Sequence, residues 1–188
     1  MLSELVLEIN HLDETELNRS ITKHRKISSS FRDTQLLEIF TLSCNLLKQA
    51  NRNIKMLMLN STDTNAIQEI ELLSSLLQLS LNCLLFDFIG TTSNEDTSDD
   101  LSTVQIPTTW RSVIMDFSNI ELFFNLYFHL PADMAANSLS CLVQLSAVRR
   151  SFFNNTERMK YLNELCIGVK KILETSSVRA FFFFSFFF

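Results

Sequence analysis

Histidines, cysteines and loop carboxylates are the side chains of this chain that could catalyse a reaction or hold a metal ion. They are His11, His24, His129, Cys44, Cys83, Cys141, Cys166, Glu95, Asp96, Asp99 and Asp100. No histidine has a cysteine or aspartate at a catalytic spacing, and no CxxC pair or Cys/His spacing suited to zinc is present. P-loop, GxGxxG, GxSxG and HExxH motifs are also absent from the sequence. We therefore predict no enzyme, no cofactor and no metal site.

Each of these groups has a structural interpretation instead. The cysteines stand apart in apolar helical segments, which predicts reduced, buried core residues. His129 precedes Pro131 at the end of a Phe-rich segment, which indicates a histidine in a last helical turn rather than a catalyst. The acids of residues 90–106 lie in a polar loop, where water would hydrate them. They would not form the coupled carboxylate pair that general acid–base catalysis uses.

Composition favours long helices in a single solenoid segment. The 188 residues include only two glycines and two prolines, and these residues are the usual breakers of helices. The formal net charge is −5, of which the four loop acids supply most, so the chain lacks the basic footprint of a nucleic-acid-binding protein. The sequence also shows no secretory pattern at its start.

Apolar periodicity predicts helices separated by short connections. The expected helices cover 33–50, 65–87, 118–130 and 135–150, with a last one from 154 onward. Residues 51–63 are expected to form a connection or a frayed helix end, and 90–106 an acidic, mobile loop. The expected capping pairs are Ser30 with Asp33, Ser118 with Glu121, and Asn154 with Glu157. The inward-facing residues are predicted to be Leu139, Leu142, Val143, Leu145 and Val148, then Met159, Leu162, Leu165, Cys166, Val169, Ile172 and Leu173.

The repetition of caps indicates the fold class. Ser118 and Asn154 are separated by one helix–turn–helix, a spacing typical of HEAT or armadillo-like repeats. We therefore predict an all-α solenoid of antiparallel helix pairs over residues 1–177. In such stacks each pair buries one face against the next, and the curved stack offers a concave surface to partners.

The charged clusters are the candidate protein-binding residues. They are Lys23, Arg25, Lys26, Glu95, Asp96, Asp99, Asp100, Arg149 and Arg150. The basic cluster at 23–26 is either a solvated helix start or loop, a docking patch for an acidic surface, or a nuclear localisation signal. The two arginines at 149–150 either stabilise the C-terminal dipole of a helix or grip a partner carboxylate. The lone Trp110 is predicted to pack against a neighbouring repeat rather than to bind a ligand.

Several segments resemble one family of transport receptors. The segments are NCLLFDFIGTTSNEDTSDDLSTVQIPTTWRS at 82–112, KHRKISSSFRD at 23–33, IFTLSCNLLKQA at 39–50 and SCLVQLSAVRRSFFNNTERMKYL at 140–162. They resemble the exportin-7 and Ran-binding protein 17 family of the importin-β superfamily. The resemblance covers roughly residues 1–175. It identifies the chain as a fragment from the N-terminal portion of a much longer receptor.

The resemblance implies that the chain binds other proteins and catalyses no reaction. Receptors of this family bind Ran-GTP through N-terminal repeats, carry folded protein cargo, contact nucleoporins, and shuttle between nucleus and cytoplasm through the nuclear pore. It also implies that the acidic loop 90–106 is a candidate contact for Ran or cargo. The alternative is a non-transport α-solenoid adaptor that holds one fixed partner.

The tail FFFFSFFF at 181–188 has a separate explanation. Eight residues are too few to span a bilayer, which needs about 20, so no membrane insertion is expected. Poly-Phe with one serine is what a pyrimidine-rich tract encodes, and Val178–Arg179 is compatible with a splice-donor sequence. We therefore expect residues 178–188 to be a read-through artefact.

Overall fold

The computed structural model describes residues 30–59, 64–86, 88, 104 and 106–187. This part of the chain forms seven α-helices: α1 (Leu36–Asn51), α2 (Ile54–Leu59), α3 (Thr64–Leu84), α4 (Arg111–Ile114), α5 (Phe117–His129), α6 (Ala132–Ser146) and α7 (Asn155–Phe187). A π-helical turn, Phe31–Gln35, leads into α1, and short 3-10 turns precede α4 and α7. Among the described residues the one β-type pairing is an isolated bridge between Val104 and Val148. The all-α prediction is confirmed.

Antiparallel helix pairs are the building unit. In the first pair, α1 and α3 join through buried Ser43 and Ser80, whose hydroxyl oxygens lie 2.8 Å apart. In the second pair, α5 turns at Leu130 into α6, and the Ser138 hydroxyl donates to the carbonyl oxygen of Phe123 at 2.7 Å. The prediction of antiparallel pairs is therefore confirmed for both.

The pairs stack side by side in two rows. Helices α1, α5 and α7 form the first row, and α3 and α6 form the second. Neighbouring helices of the first row run in the same direction, because successive contacts between two of them advance toward the C-terminal end of both helices. Lys48 of α1 pairs with Asp116 before α5 at 3.0 Å, and the α5–α7 contacts advance from Phe117 with Tyr161 to Phe124 with Gly168. This arrangement matches the stacked helix pairs expected of a HEAT-type solenoid.

One of the three predicted helix caps is confirmed. The backbone N–H of Asn154 donates to Glu157 Oε2, and the N–H of Glu157 donates to Asn154 Oδ1, each at 2.9 Å. This reciprocal pair satisfies two backbone donors that the start of α7 would otherwise leave free. The predicted stop before Pro131 is also confirmed, because Leu130 adopts an extended conformation, as residues before proline prefer.

The other two predicted caps are wrong. Ser30 itself has a helical conformation, and its side chain makes no capping hydrogen bond. At α5 the cap is Asp116, whose Oδ1 accepts from the Ser118 N–H at 3.1 Å and from the Ser118 hydroxyl at 2.6 Å. Burial raises the pKa of the Asp116 carboxyl, but the bonds from Ser118 and Lys48 outweigh burial and hold that pKa below its usual value of 3.8.

Two helix boundaries also differ from the prediction. The sequence predicts a connection or a frayed helix end over 51–63, but the structure has a separate helix there, α2, which is fixed by the buried side chain of Ile54. The helix predicted over 135–150 begins at Ala132 and ends at Ser146, so it is shifted toward the proline by about one turn. Pro131 explains the early start, since proline is well suited to the first positions of a helix.

The predicted inward faces of α6 and α7 are partly wrong. On α6, Leu142 and Leu145 are buried, but Leu139 and Val143 are exposed. On α7, the buried side chains are Tyr161 and Leu165, while the exposed apolar residues are Met159, Leu162, Ile167, Val169 and Leu173. Small residues explain the difference, because Gly168 lets α7 approach the ring of Phe124, and Ser138 lets α6 approach α5. Each buried face therefore contains a small residue at the point of close approach, which apolar periodicity alone does not indicate.

Three of the four cysteines fit the core prediction. Cys44, Cys83 and Cys141 are buried, whereas Cys166 is exposed, which corrects the prediction for that residue. All four are free thiols. Burial raises the pKa of Cys44 and of Cys83 to about 12 and also raises the pKa of Cys141. The three buried thiols are therefore inert packing groups.

We expect the native chain to react with a thiol reagent at one cysteine. Only the sulfur of Cys166 is accessible, and the thiolate is the reactive form. The expected result with excess DTNB at pH 8 is one thiol modified within minutes and three that react at least about 100-fold more slowly until urea is added. The variant Cys166→Ser should lose the fast phase. Two or more fast thiols in the native protein would contradict the burial of the other three.

Candidate protein-interaction surfaces

The connections that precede the first-row helices meet at one edge of the stack, here called the loop edge. Its described residues are Phe31–Gln35, Phe88, Val104, Ile106–Trp110 and Ala147–Asn154. The backbone is held together there by Val104, whose N–H donates to the Ala147 carbonyl at 2.9 Å and whose carbonyl accepts from the Arg149 N–H at 3.1 Å. The C-terminal end of the acidic segment 90–106 therefore lies beside Arg149 and Arg150.

Two arginines clamp neighbouring connections at the loop edge. Arg32 donates from Nη1 to the carbonyl oxygen of Phe88 at 2.7 Å, and Arg111 donates from Nη1 to the carbonyl oxygen of Phe152 at 2.6 Å. Each arginine follows an aromatic residue, Phe31 or Trp110, at the start of a first-row segment. This repeated aromatic–arginine pair is a signal in the sequence from which the clamps could have been predicted.

The clamp arginines have their charges balanced within the fold. Arg32 pairs with Asp33 at 2.9 Å. Arg111 pairs with Glu157, the same carboxylate that caps α7, and its guanidinium lies 5.5 Å from the ring centroid of Phe152. These side chains therefore connect neighbouring repeats, and their charges are already engaged.

Arg149 and Arg150 occupy a different place from the one predicted. They were expected to end a helix, but α6 ends at Ser146 and the Val104–Val148 bridge separates the arginines from that end. Both are exposed, and Arg150 begins the turn into α7. Neither arginine therefore belongs to the last turn of α6, and the interpretation as a partner-binding pair is left as a proposal.

The remaining charged candidates lie outside the described residues. They are Lys23, Arg25, Lys26, Glu95, Asp96, Asp99 and Asp100, together with His11 and His24. His129 is described, and it ends α5 with Nδ1 2.8 Å from the carbonyl oxygen of Asn125. In the described part of the chain, no three His, Cys, Asp or Glu side chains are placed to hold a metal ion. Within the same part, no helix has the length and apolarity needed to cross a bilayer.

An apolar surface marks the end of the stack. We define the end face by the exposed side chains of Leu139, Val143, Met159, Leu162, Val169 and Leu173. Helices α1 and α5 each lie against an antiparallel helix of the second row, whereas α7 has no such companion among the described residues. The end face therefore belongs to the two helices that have no further pair stacked against them among the described residues.

Curated proteins with similar sequences are named exportin-7 or Ran-binding protein 16 or 17. The chain is 55% identical over 174 residues to exportin-7-A of Xenopus laevis, 49% over 175 residues to Ran-binding protein 16 of Drosophila melanogaster, and 48% over 174 residues to Ran-binding protein 17 of Homo sapiens. Each match covers 93% of this chain and 15% of the relative, so the chain spans about a seventh of their length. No family model and no solved structure matches.

Proposed function

Because this chain corresponds to a segment of the exportin-7 and Ran-binding protein 16/17 family, we propose that it forms part of a nuclear export receptor that binds Ran-GTP and folded protein cargo. The observation that carries the proposal is identity of 47–55% over nearly the whole chain to proteins with these names. The stacked antiparallel pairs support it, because such stacks present long surfaces to protein partners.

The receptor acts by holding partners rather than by transforming them. We propose that the chain is not an enzyme, that it uses no cofactor, and that the receptor containing it contacts nucleoporins and shuttles between nucleus and cytoplasm. Two partners that bind along one flexible stack can influence each other through its pitch, without chemistry in the stack itself. Arg32 and Arg111 would transmit such changes, since each ties one connection to the next.

Partner contacts are proposed at the loop edge and at the basic cluster. Arg149 and Arg150 are exposed there, next to the point where the acidic segment returns to the stack. Exposed arginines can pair bidentately with carboxylates of a partner. The acids Glu95, Asp96, Asp99 and Asp100, and the cluster Lys23, Arg25 and Lys26, are proposed as further contacts on sequence grounds alone.

Nucleotide-dependent capture tests the proposal. The full-length protein that contains this segment is immobilised and exposed to Ran loaded with GTP or with GDP. Preferential capture of Ran-GTP is the expected result. Equal capture of both forms, or of neither, would overturn the receptor proposal and favour an adaptor with one fixed partner.

A charge-reversal pair localises the contact. The double variant Arg149→Glu/Arg150→Glu is compared with Lys160→Glu/Lys170→Glu, which makes the same change in net charge on the exposed side of α7. If the loop edge contacts Ran or cargo, the first variant should lose at least about tenfold in affinity, since like charges at an interface repel. Equal losses in both variants would remove Arg149 and Arg150 from the proposed interface.

A further inference from the structure

A polar groove lies between adjacent helices of the first row, at the opposite end from the loop edge. Its volume is about 330 Å³, and it is lined by Asn51, Arg52, Asn53, Ile54, Lys55, Met56, Asn125 and His129. The turn between α1 and α2 forms one wall, and the last turns of α5 form the other. The 13 residues of α5 separate this end from the loop edge by about 20 Å.

The groove concentrates positive charge on an acidic chain. Residues 48–62 contain Lys48, Arg52 and Lys55 and no acid, although the chain as a whole has a net charge of −5. Lys48 is engaged by Asp116. Arg52 and Lys55 are exposed, and neither pairs with a carboxylate among the described residues. Two cations that have no carboxylate partner in the described part of the chain, both lining one concave site, favour an anionic ligand.

The other polar groups of the groove suit a peptide. The side chains of Asn51, Asn53 and Asn125 each offer both a donor and an acceptor, which is the combination that a peptide backbone requires. A nucleic acid is held through many phosphate contacts along its backbone, whereas the groove supplies only two cations. The two cations among carboxamides therefore favour a short acidic peptide over a polynucleotide.

Stacking of further helix pairs would leave the groove open. Additional pairs extend the rows before α1 or beyond α7, whereas the groove lies laterally between α1–α2 and α5. The end face would be covered by such an extension, but the groove would not. Growth of the rows at either end therefore does not by itself cover the groove.

We propose that the polar groove binds an acidic peptide segment of a partner protein. Arg52 and Lys55 pair with carboxylates of that segment, and the asparagine side chains hydrogen-bond to its backbone. The site is distinct from the loop edge, so its failure would leave the proposed export function untouched.

Fluorescence anisotropy with a defined probe tests the groove. The probe is a labelled twelve-residue peptide of alternating glutamate and serine, titrated with the full 188-residue chain at 50 mM salt. The double variant Arg52→Ala/Lys55→Ala should bind about fivefold more weakly, because two exposed ion pairs contribute about 0.5 kcal/mol each. Helicity measured by circular dichroism checks that the variant folds, and Arg52→Gln/Lys55→Gln replaces it if helicity falls.

A matched variant separates a site from general charge attraction. Lys160→Ala/Lys170→Ala removes the same charge from α7 and should leave peptide affinity within about twofold, since neither lysine lines the groove. Equal weakening in both double variants would overturn the proposal. The proposal would also be overturned if binding of a labelled twelve-nucleotide oligo-dT depended on Arg52 and Lys55 while binding of the peptide did not.

Discussion

Replacing Trp110 by alanine is expected to lower the free energy of unfolding by about 3–5 kcal/mol, the range typical of a large aromatic removed from a core. Trp110 is fully buried, with its ring centroid 5.4 Å from that of Phe40 and 5.3 Å from that of Phe88. Its Nε1 donates to the carbonyl oxygen of Arg32 at 3.0 Å. The substitution would leave a cavity between the first two segments of the first row, as well as an unpaired carbonyl.

Urea denaturation followed by circular dichroism measures this effect, because the variant lacks the only tryptophan of the chain. Trp110→Phe keeps most of the ring but loses the bond to Arg32, and it should cost about 1–2 kcal/mol. Leu59→Ala, at a side chain 78% exposed, is the control and should change stability by less than about 0.5 kcal/mol. A loss below about 1 kcal/mol for Trp110→Ala would contradict the packing of this residue between repeats.

The sequence predicted the helices well because their signals are local. Few glycines and prolines, together with apolar periodicity, are enough to place α1, α3, α5 and α6 within about a turn. The cap at α7 could also be found, because Asn154 and Glu157 are partners within one turn. At α5 the same rule is wrong, since Asp116 and Ser118 both bear capping oxygens and the helix begins at Phe117, directly after Asp116.

The choice of buried face could not be predicted in the same way. Helix α7 has apolar residues on two sides, and periodicity gives no information about which side meets a neighbour. The structure buries Tyr161 and Leu165 and leaves Met159 and Leu173 exposed. The deciding residue is Gly168, whose missing side chain permits a close approach that apolar counting does not consider.

Identification of the candidate sites depends even more on three-dimensional contacts than the choice of buried face does. Arg149 and Arg150 were selected as an adjacent charged pair, and the bridge at Val104 places them beside the acidic segment, a contact between residues far apart in sequence. The aromatic–arginine pairs 31–32 and 110–111 indicate the clamp arginines in the sequence, but not their partners, because Phe88 and Phe152 accept through backbone carbonyls. Arg52 and Lys55 were missed because the opposite wall of their groove belongs to α5.

Gly168 gives the second large expected effect, with a sign opposite to the usual one. In an ordinary helix interior, Gly→Ala stabilises by about 1 kcal/mol. Here a Cβ at position 168 would overlap the side chain of Phe124, which is itself buried against α7. Relief of that overlap requires α7 to move away from α5, and overpacking of this kind costs about 1–3 kcal/mol. We therefore expect Gly168→Ala to lower the free energy of unfolding by about 1–2 kcal/mol, and Gly168→Leu to lower it further.

A double-mutant cycle identifies the cause of that loss. Phe124→Ala alone should be destabilising by about 3–5 kcal/mol through the cavity it leaves. In the Phe124→Ala background, however, Gly168→Ala should become neutral or stabilising, because the new methyl group enters space that the ring has vacated and the helix gains its normal propensity. Urea denaturation of the four proteins gives the coupling. If Gly168→Ala stabilises the chain with Phe124 intact, then α7 does not approach α5 through this glycine. In that case the position of α7 in the row of α1, α5 and α7 would be wrong. The loop edge and the end face both depend on that row.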